Sequence, residues 1–244
     1  MKYLKEFSTE SDYVVYRDGG SYLKPNVSLL DDNGDVFYNF TPPPITYEAV
    51  DLGLSSGTKW AAQNVGARKP SDAGLYFQWG DTKGYTKEQV GKGDGKKNFY
   101  WPDYKWNPSG DGKTFTKYAT TGATLELEDD AAHVNMGGDW HMPTPEQVKE
   151  LINNTTTAWT VSNGVGGVTL TSKKDETKYI FIPITGYAEN EKIKDNIDRI
   201  NIWSSMVAKS SAEYGQIISG WKDGTFSLDY YQRYRGFSVR GVLG

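Results

Sequence analysis

Thr144-Pro145-Glu146-Gln147-Val148-Lys149-Glu150-Leu151-Ile152 is the stretch whose reading decides the fold class. Thr144 carries the side-chain oxygen of a helix N-cap, Pro145 suits the first helical position, and Gln147 stands where a capping box returns its bond. Asn153-Asn154 ends the helix. Beyond it the period changes to that of strands, in Val168-Thr169-Leu170-Thr171-Ser172, Tyr179-Ile180-Phe181-Ile182-Pro183, Gln216-Ile217-Ile218-Ser219, Phe226-Ser227-Leu228 and Phe237-Ser238-Val239-Arg240. Asp223-Gly224, between Trp221 and Phe226, is a hairpin signal. Helices followed by a compact antiparallel sheet, with much irregular chain, make an α+β fold.

Upstream, a first helix is expected near Leu125 to Val134, with Glu126, Glu128, Asp129 and Asp130 at its positive end and Gly137-Gly138 closing it. That acidic group could hold a metal, but successive helix positions point in different directions, so a solvated helix start is the better reading. Residues 81 to 118 read as one long Gly-, Lys- and Asp-rich loop. Its glycines lack the spacing and preceding strand of a phosphate-binding loop. Tyr100, Trp101, Tyr104 and Trp106 are expected to tack it down. Val50 to Ala61 and Gly74 to Gly80 suggest short strands around Gly turns.

At the front, Tyr13-Val14-Val15-Tyr16, Val27-Ser28-Leu29-Leu30 and Val36-Phe37-Tyr38 read as strands. Asp32-Asn33-Gly34-Asp35 is a turn rather than a calcium loop, since its Gly is misplaced and no Glu closes it. Thr41-Pro42-Pro43-Pro44 then forms a stiff connector. The division expected is a small β module over 1–41, a Pro-rich linker over 42–47, and a main domain over 48–244.

The chain has 244 residues, a formal charge of −4, 14% aromatic residues and 27 glycines, which favours a β-rich, loop-rich domain and argues against nucleic acid as the main partner. It has no cysteine, so disulfides, thiolate nucleophiles and Cys-based metal sites are excluded. The first residues lack the apolar region of a secretory signal, and no run is long enough for a membrane span. A surface role would then require another route of export, such as release in a virus particle.

About thirty residues rich in Tyr, Trp, Arg, Asn and Asp lie between Trp203-Ser204-Ser205 and Gly236-Phe237-Ser238-Val239-Arg240. Rigid aromatic stems with polar neighbours are the composition of recognition surfaces. The candidate ligand-binding residues are Asp198, Arg199, Asn201, Met206, Val207, Lys209, Tyr214, Gln216, Trp221, Asp229, Tyr230, Tyr231, Arg233 and Arg235, about half of them exposed on a single face. Trp221, beside its Asp-Gly turn, is the best anchor. The flanking residues read as frame: Trp140 and Trp203 as core, Ser204 and Ser205 as ties between loops, and Arg240 as a fork of hydrogen bonds to buried carboxylate or carbonyl oxygens. No catalytic residue is picked out. His133 and His141 have no nucleophile motif beside them and read as structural.

Val50-Asp51-Leu52-Gly53-Leu54-Ser55-Ser56-Gly57-Thr58-Lys59-Trp60-Ala61, Gly138-Asp139-Trp140-His141-Met142-Pro143-Thr144, Phe181-Ile182-Pro183, Trp203-Ser204-Ser205 and Gly236-Phe237-Ser238-Val239-Arg240 occur in an order that resembles the C-type-lectin-fold domains of gut Bacteroidetes and their phages. These belong to the group related to formylglycine-generating sulfatase modifiers, and the resemblance spans roughly residues 48 to 242. Some relatives are variable proteins of diversity-generating retroelements, and residues 193 to 235 look like their rewritten region.

The resemblance implies a C-type lectin fold and a non-enzymatic receptor-recognition or adhesion module, at a phage fibre tip or on a cell surface. Its partner would be a protein or glycan on a bacterial host. A homo-oligomer is expected, a trimer if attachment is fibre-like, with no membrane insertion, cofactor or metal. The copper-thiolate chemistry of the enzymatic relatives needs cysteines, and the ligand tripeptides of calcium lectins are missing. A structural virion or surface-decoration protein is the alternative, and an enzyme the third class.

Overall fold

The structure, a computed structural model, describes residues 28–30, 36–39, 44–195 and 198–244. The chain divides into two compact units, Met1–Pro44 and Ile45–Gly244. In the first, β1 (Ser28–Leu30) pairs antiparallel with β2 (Val36–Asn39). The readings at Tyr13–Tyr16 and Asp31–Asp35 fall outside the described residues. Thr46 and Tyr47, taken from sequence as linker, are tied into the second unit. The Thr46 carbonyl accepts from the Gln63 amide at 3.0 Å, and the Tyr47 hydroxyl accepts from Gly66 N–H at 2.9 Å.

The second unit is mixed α+β, with two α-helices and several small sheets among the described residues. Short strands β3 (Ala49–Val50) and β4 (Lys59–Ala61) join the final strand β14 (Val242–Leu243) in the order β14-β4-β3. Helix α1 (Ala131–Met136) is shorter than expected and starts later. Glu126, Glu128 and Asp129 lie on or before a separate 3-10 turn over Leu127–Asp129. Asp130 is the N-cap of α1, accepting from the Ala132 and His133 amides, and its other oxygen accepts from Met142 N–H at 2.8 Å.

Helix α2 (Pro145–Asn154) has the expected capping box, with Thr144 and Gln147 bonding reciprocally. Its Val148 and Leu151 are buried, each worth about 1.5–3 kcal/mol against exposure. They meet Ile200, Ile202 and Ile218 of the C-terminal sheet and Leu170, Ile180 and Ile182 of a second sheet in one apolar cluster.

That second sheet runs β5 (Thr155–Ser162), β6 (Val165–Ser172), β7 (Tyr179–Pro183), each antiparallel to the next. A two-strand ribbon, β8 (Tyr187–Glu189) and β9 (Lys192–Lys194), follows. The C-terminal sheet comprises β10 (Arg199–Val207), β11 (Tyr214–Trp221), β12 (Phe226–Gln232) and β13 (Ser238–Val239). Its order is β12-β11-β10-β13, with β13 parallel to β10.

Strand β10 is buried almost throughout because both faces of the sheet are covered. Ile200 and Ile202 face α2, whereas Trp203 and Val207 join Phe77, Trp79, Ile217, Phe237 and Val239 in a second cluster on the opposite side. Register breaks after Trp203, where Ser204-Ser205-Met206 stand against Gln216 alone, a bulge that re-aims the strand end. The expected frame residues cross here. The indole N–H of Trp203 donates to Phe77 O (2.8 Å), and that of Trp79 to Ser204 O (2.9 Å). Ser205 bonds through its backbone to Leu125 and Pro143. Ser204 works through its carbonyl. Opposite Val207 only glycine fits, because a Cβ on Gly215 would stand 2.6 Å from Trp79 Cδ1.

Arg240 forms the expected fork, all to neutral acceptors: Asn64 Oδ1 (2.9 Å), Ala61 O (2.9 Å) and Phe181 O (3.0 Å). In the long loop, the Tyr104 hydroxyl donates to Trp79 O at 2.8 Å, and Trp106 Nε1 to Gly80 O at 3.2 Å.

Candidate functional site

Register sorts the C-terminal residues onto two faces of the sheet, not one. Opposed residues of antiparallel neighbours share a face, and faces alternate along a strand. Arg199 opposite Trp221, Asn201 opposite Ser219 and Ser227, and Gly215 opposite Tyr231 lie on one side, with Asp229. Tyr214, Gln216 and Tyr230 lie on the side shared with Ile218 and Leu228. The expectation of a single face is thereby corrected. On the second side, Tyr214 and Tyr230 pack edge to face with centroids 5.4 Å apart, and Tyr230 is 50% exposed.

The first side carries an alternating stack of aromatic rings and guanidinium groups. Arg199 reaches from β10 across β11 toward β12. Its guanidinium carbon lies 4.4 Å from the Trp221 ring centre and 5.1 Å from that of Tyr231. It donates to the Tyr231 hydroxyl and stands 3.7 Å from Asp229 Oδ2. The Tyr231 ring meets a second cation, Arg235, at 4.9 Å, and Arg235 lies 5.2 Å from Tyr187. Arg235 is paired with Glu189 at 2.6 Å, and Glu189 also accepts from the Tyr234 hydroxyl at 2.9 Å.

The order Trp221, Arg199, Tyr231, Arg235, Tyr187 thus makes four cation–ring contacts, each worth about 0.5–2 kcal/mol according to solvation. Burial raises the pKa of Tyr187, opposed by Arg235; burial and the Glu189 bond raise that of Tyr234. Both phenols stay neutral at physiological pH. The stack fixes these rings in place, and Trp221, at its outer end, remains 37% exposed. Sequence reasoning missed Tyr187 and Glu189, which lie on β8, outside the segment it searched.

Four of the candidate ligand-binding residues are buried. Asn201 and Val207 are sealed by the two-sided covering of β10. Arg199 is 6% exposed. Arg233 is fully buried under the long loop, its guanidinium carbon 3.9 Å from the Phe115 ring centre, with Trp79 and Tyr104 alongside. It makes one hydrogen bond, to Tyr118 O at 3.0 Å, while its Nε and second terminal nitrogen find no partner among the described residues. Asp198 and Lys209 are exposed at the two ends of β10, and Met206, Gln216, Asp229 and Arg235 are half-buried.

The acidic group that sequence reasoning dispersed around a helix does converge. Glu126, Glu128 and Asp129 place oxygens within 4.8 Å of one another, because the turn before α1 does not obey helical spacing. Lys117 Nζ sits among them at 2.5, 3.0 and 2.6 Å, and Lys105 holds Asp129 at 3.0 Å. The ammonium groups supply the positive charge this cluster calls for. Each histidine is engaged with carbonyls: His133 Nδ1 lies 3.1 Å from Trp140 O, and His141 Nδ1 lies 3.0 Å from Met142 O. A cleft of about 300 Å³ is lined by Tyr76, Lys87, Thr185 and Asp195. There the Tyr76 hydroxyl donates to Thr185 O, and burial pushes its pKa up to about 12.

The chain matches no family model, no curated protein and no solved structure. No helix among the described residues is long and apolar enough to cross a membrane.

Proposed function

We propose that the second unit is a binding module with a C-type-lectin-type frame. It would recognise a protein or glycan on a bacterial cell surface, from a phage fibre tip or as a surface adhesin. The observation that carries this reading is the ring–guanidinium stack, which presents Trp221 to solvent in a fixed pose. Preorganised aromatic surface binds without a large ordering cost. The bonds that hold the frame come from elsewhere: Trp79, Trp203 and Arg240 anchor to Ser204, Phe77, Asn64, Ala61 and Phe181. Side chains at the outer end of the stack can therefore vary without unlocking the core. Tyr230 and Tyr214 supply a second aromatic patch on the other side.

The test is flow cytometry of the fluorescently labelled full chain on a panel of gut Bacteroidetes strains, with protease and periodate treatment separating protein from glycan targets. Trp221→Ala is expected to weaken staining about 30-fold, the loss typical of a hot-spot residue. It should lower the melting temperature by only a few degrees, since one half-exposed ring contact is lost. Tyr231→Ala should instead destabilise the domain, because its ring packs among Tyr187, Phe237 and both arginines. Staining should survive EDTA, with Lys117 filling the acidic cluster. Staining of no strain, or equal staining by Trp221→Ala, would sink the proposal.

A further inference from the structure

Strand β5, Thr155-Thr156-Thr157-Ala158-Trp159-Thr160-Val161-Ser162, is an edge strand, since the sheet order is β5-β6-β7. It is joined to β6 by Asn163-Gly164, both with positive φ (50° and 79°), the signature of a two-residue type I′ turn. Such a turn makes Ser162 and Val165 the closing hydrogen-bonded pair, so the bonded pairs recur at Thr160–Gly167, Ala158–Thr169 and Thr156–Thr171. The N–H and C=O groups of Thr157, Trp159 and Val161 consequently point away from β6. Among the described residues no hydrogen bond reaches them.

The other edges of comparable length are partly occupied. On β7 the outward positions are Tyr179, Phe181 and Pro183; Pro183 has no N–H, and Arg240 occupies Phe181 O at 3.0 Å. On β12 the outward N–H of Tyr230 is taken by the Asp229 side chain at 2.8 Å. Edge strands in soluble proteins are ordinarily guarded by charge, proline or covering chain. Strand β5 carries neither charge nor proline, and the chain at Gly224, whose carbonyl accepts from the Thr157 hydroxyl at 3.0 Å, takes none of its outward backbone groups. No residue of β5, β6 or β7 is charged, in a chain that is 24% charged overall.

We propose that two copies of this chain associate edge to edge through β5, antiparallel about a two-fold axis, into one continuous six-stranded sheet. The occupant is a second copy because the strand is compatible with itself. An uncharged strand meets its own copy without like-charge repulsion. Its bonding parity also suits a two-fold: centred on Trp159, the outward groups of Thr157 meet those of Val161 of the second copy. The same register brings Ala158 opposite Thr160 of the second copy on the exposed face. Val161, 70% exposed in the single chain, gains a Thr157 neighbour.

Two substitutions separate this edge from the rest of the molecule. Val161→Pro removes an outward N–H and none of the bonds to β6, a position where an edge strand accepts proline. Ala158→Lys sets a charge on the exposed face beside the axis. Light scattering coupled to size exclusion, run on the full chain over a concentration series, should give twice the chain mass for the wild type. Each variant should raise the dimer dissociation constant by at least about tenfold, with circular dichroism and melting temperature of the monomer retained. A wild-type chain of single mass at high concentration, as when another part of the chain covers this edge, overturns the proposal. So does any assembly that survives both substitutions.

Discussion

Arg233 and Arg240 are both fully buried, yet their bonding differs sharply. Arg240 satisfies three acceptors, and burial pulls its pKa down to about 9. Removing the guanidinium strands those acceptors, so Arg240→Met should cost about 3–5 kcal/mol in urea unfolding. Arg233 makes one bond and leaves two nitrogens open among aromatic rings. A buried charge so poorly paired is replaceable by a thioether at small cost, and Arg233→Met should lose no more than about 1 kcal/mol. Equal losses would contradict this account. The fork of Arg240 was legible in sequence because a residue that pins a loop-rich fold must satisfy buried backbone groups. The burial of Arg233 was not, because the rings that cover it arrive from residues 79 to 118 and leave no trace near position 233.

Asp111 offers a pH test. The Thr114 N–H, then the Asn107 amide and the Lys113 N–H, hold its carboxyl well below the usual range. A carboxyl whose folded pKa is depressed stabilises the fold above its unfolded value and loses that contribution as pH falls. The melting-temperature advantage of wild type over Asp111→Asn should thus be steady above the unfolded value of 3.8 and shrink below it. An advantage that grows on acidification would refute the assignment.

At the scale of elements, what the sequence revealed was local. The capping box of α2 needs only residues 144 to 147, so it is legible in the sequence. The start of α1 was misjudged because four acids in five residues look like a helical first turn, whereas Asp130 alone serves as the cap. Asp130 also holds Met142 N–H, which joins α1 to the Trp-His-Met-Pro turn. Asp130→Ala should therefore cost about 2 kcal/mol, more than an ordinary cap, with Asp130→Asn recovering part of it in the same denaturation assay. Strand β5 escaped notice although Asn163-Gly164 announces it, since its threonines show no contrast between the two sides. Strand β10 was missed for the opposite reason: buried on both sides, it lacks alternation.

At the scale of the molecule, the frame depends on partners distant in sequence. Trp79 meets Ser204 across 125 residues, and Arg240 meets Ala61 across 179. The quoted anchors pointed to a rigid frame, but no local pattern pairs them. The candidate surface was legible as a region and not as a list. Composition marked residues 193 to 235, yet the division into two sides follows from a register that only the paired strands define. The glutamate and tyrosine of β8 joined the stack through tertiary approach alone.

Asp229 answers to two neighbours, taking the Tyr230 N–H with one oxygen and facing Arg199 with the other. Alanine there would uncover a second adhesive strand in a molecule that, on our proposal, already joins through β5. Closed pairs would become links, and links can grow without limit. Solutions of Asp229→Ala should scatter light increasingly with concentration, and adding Ala158→Lys should halt the growth. A single carboxylate would then stand between a self-limiting particle and a filament.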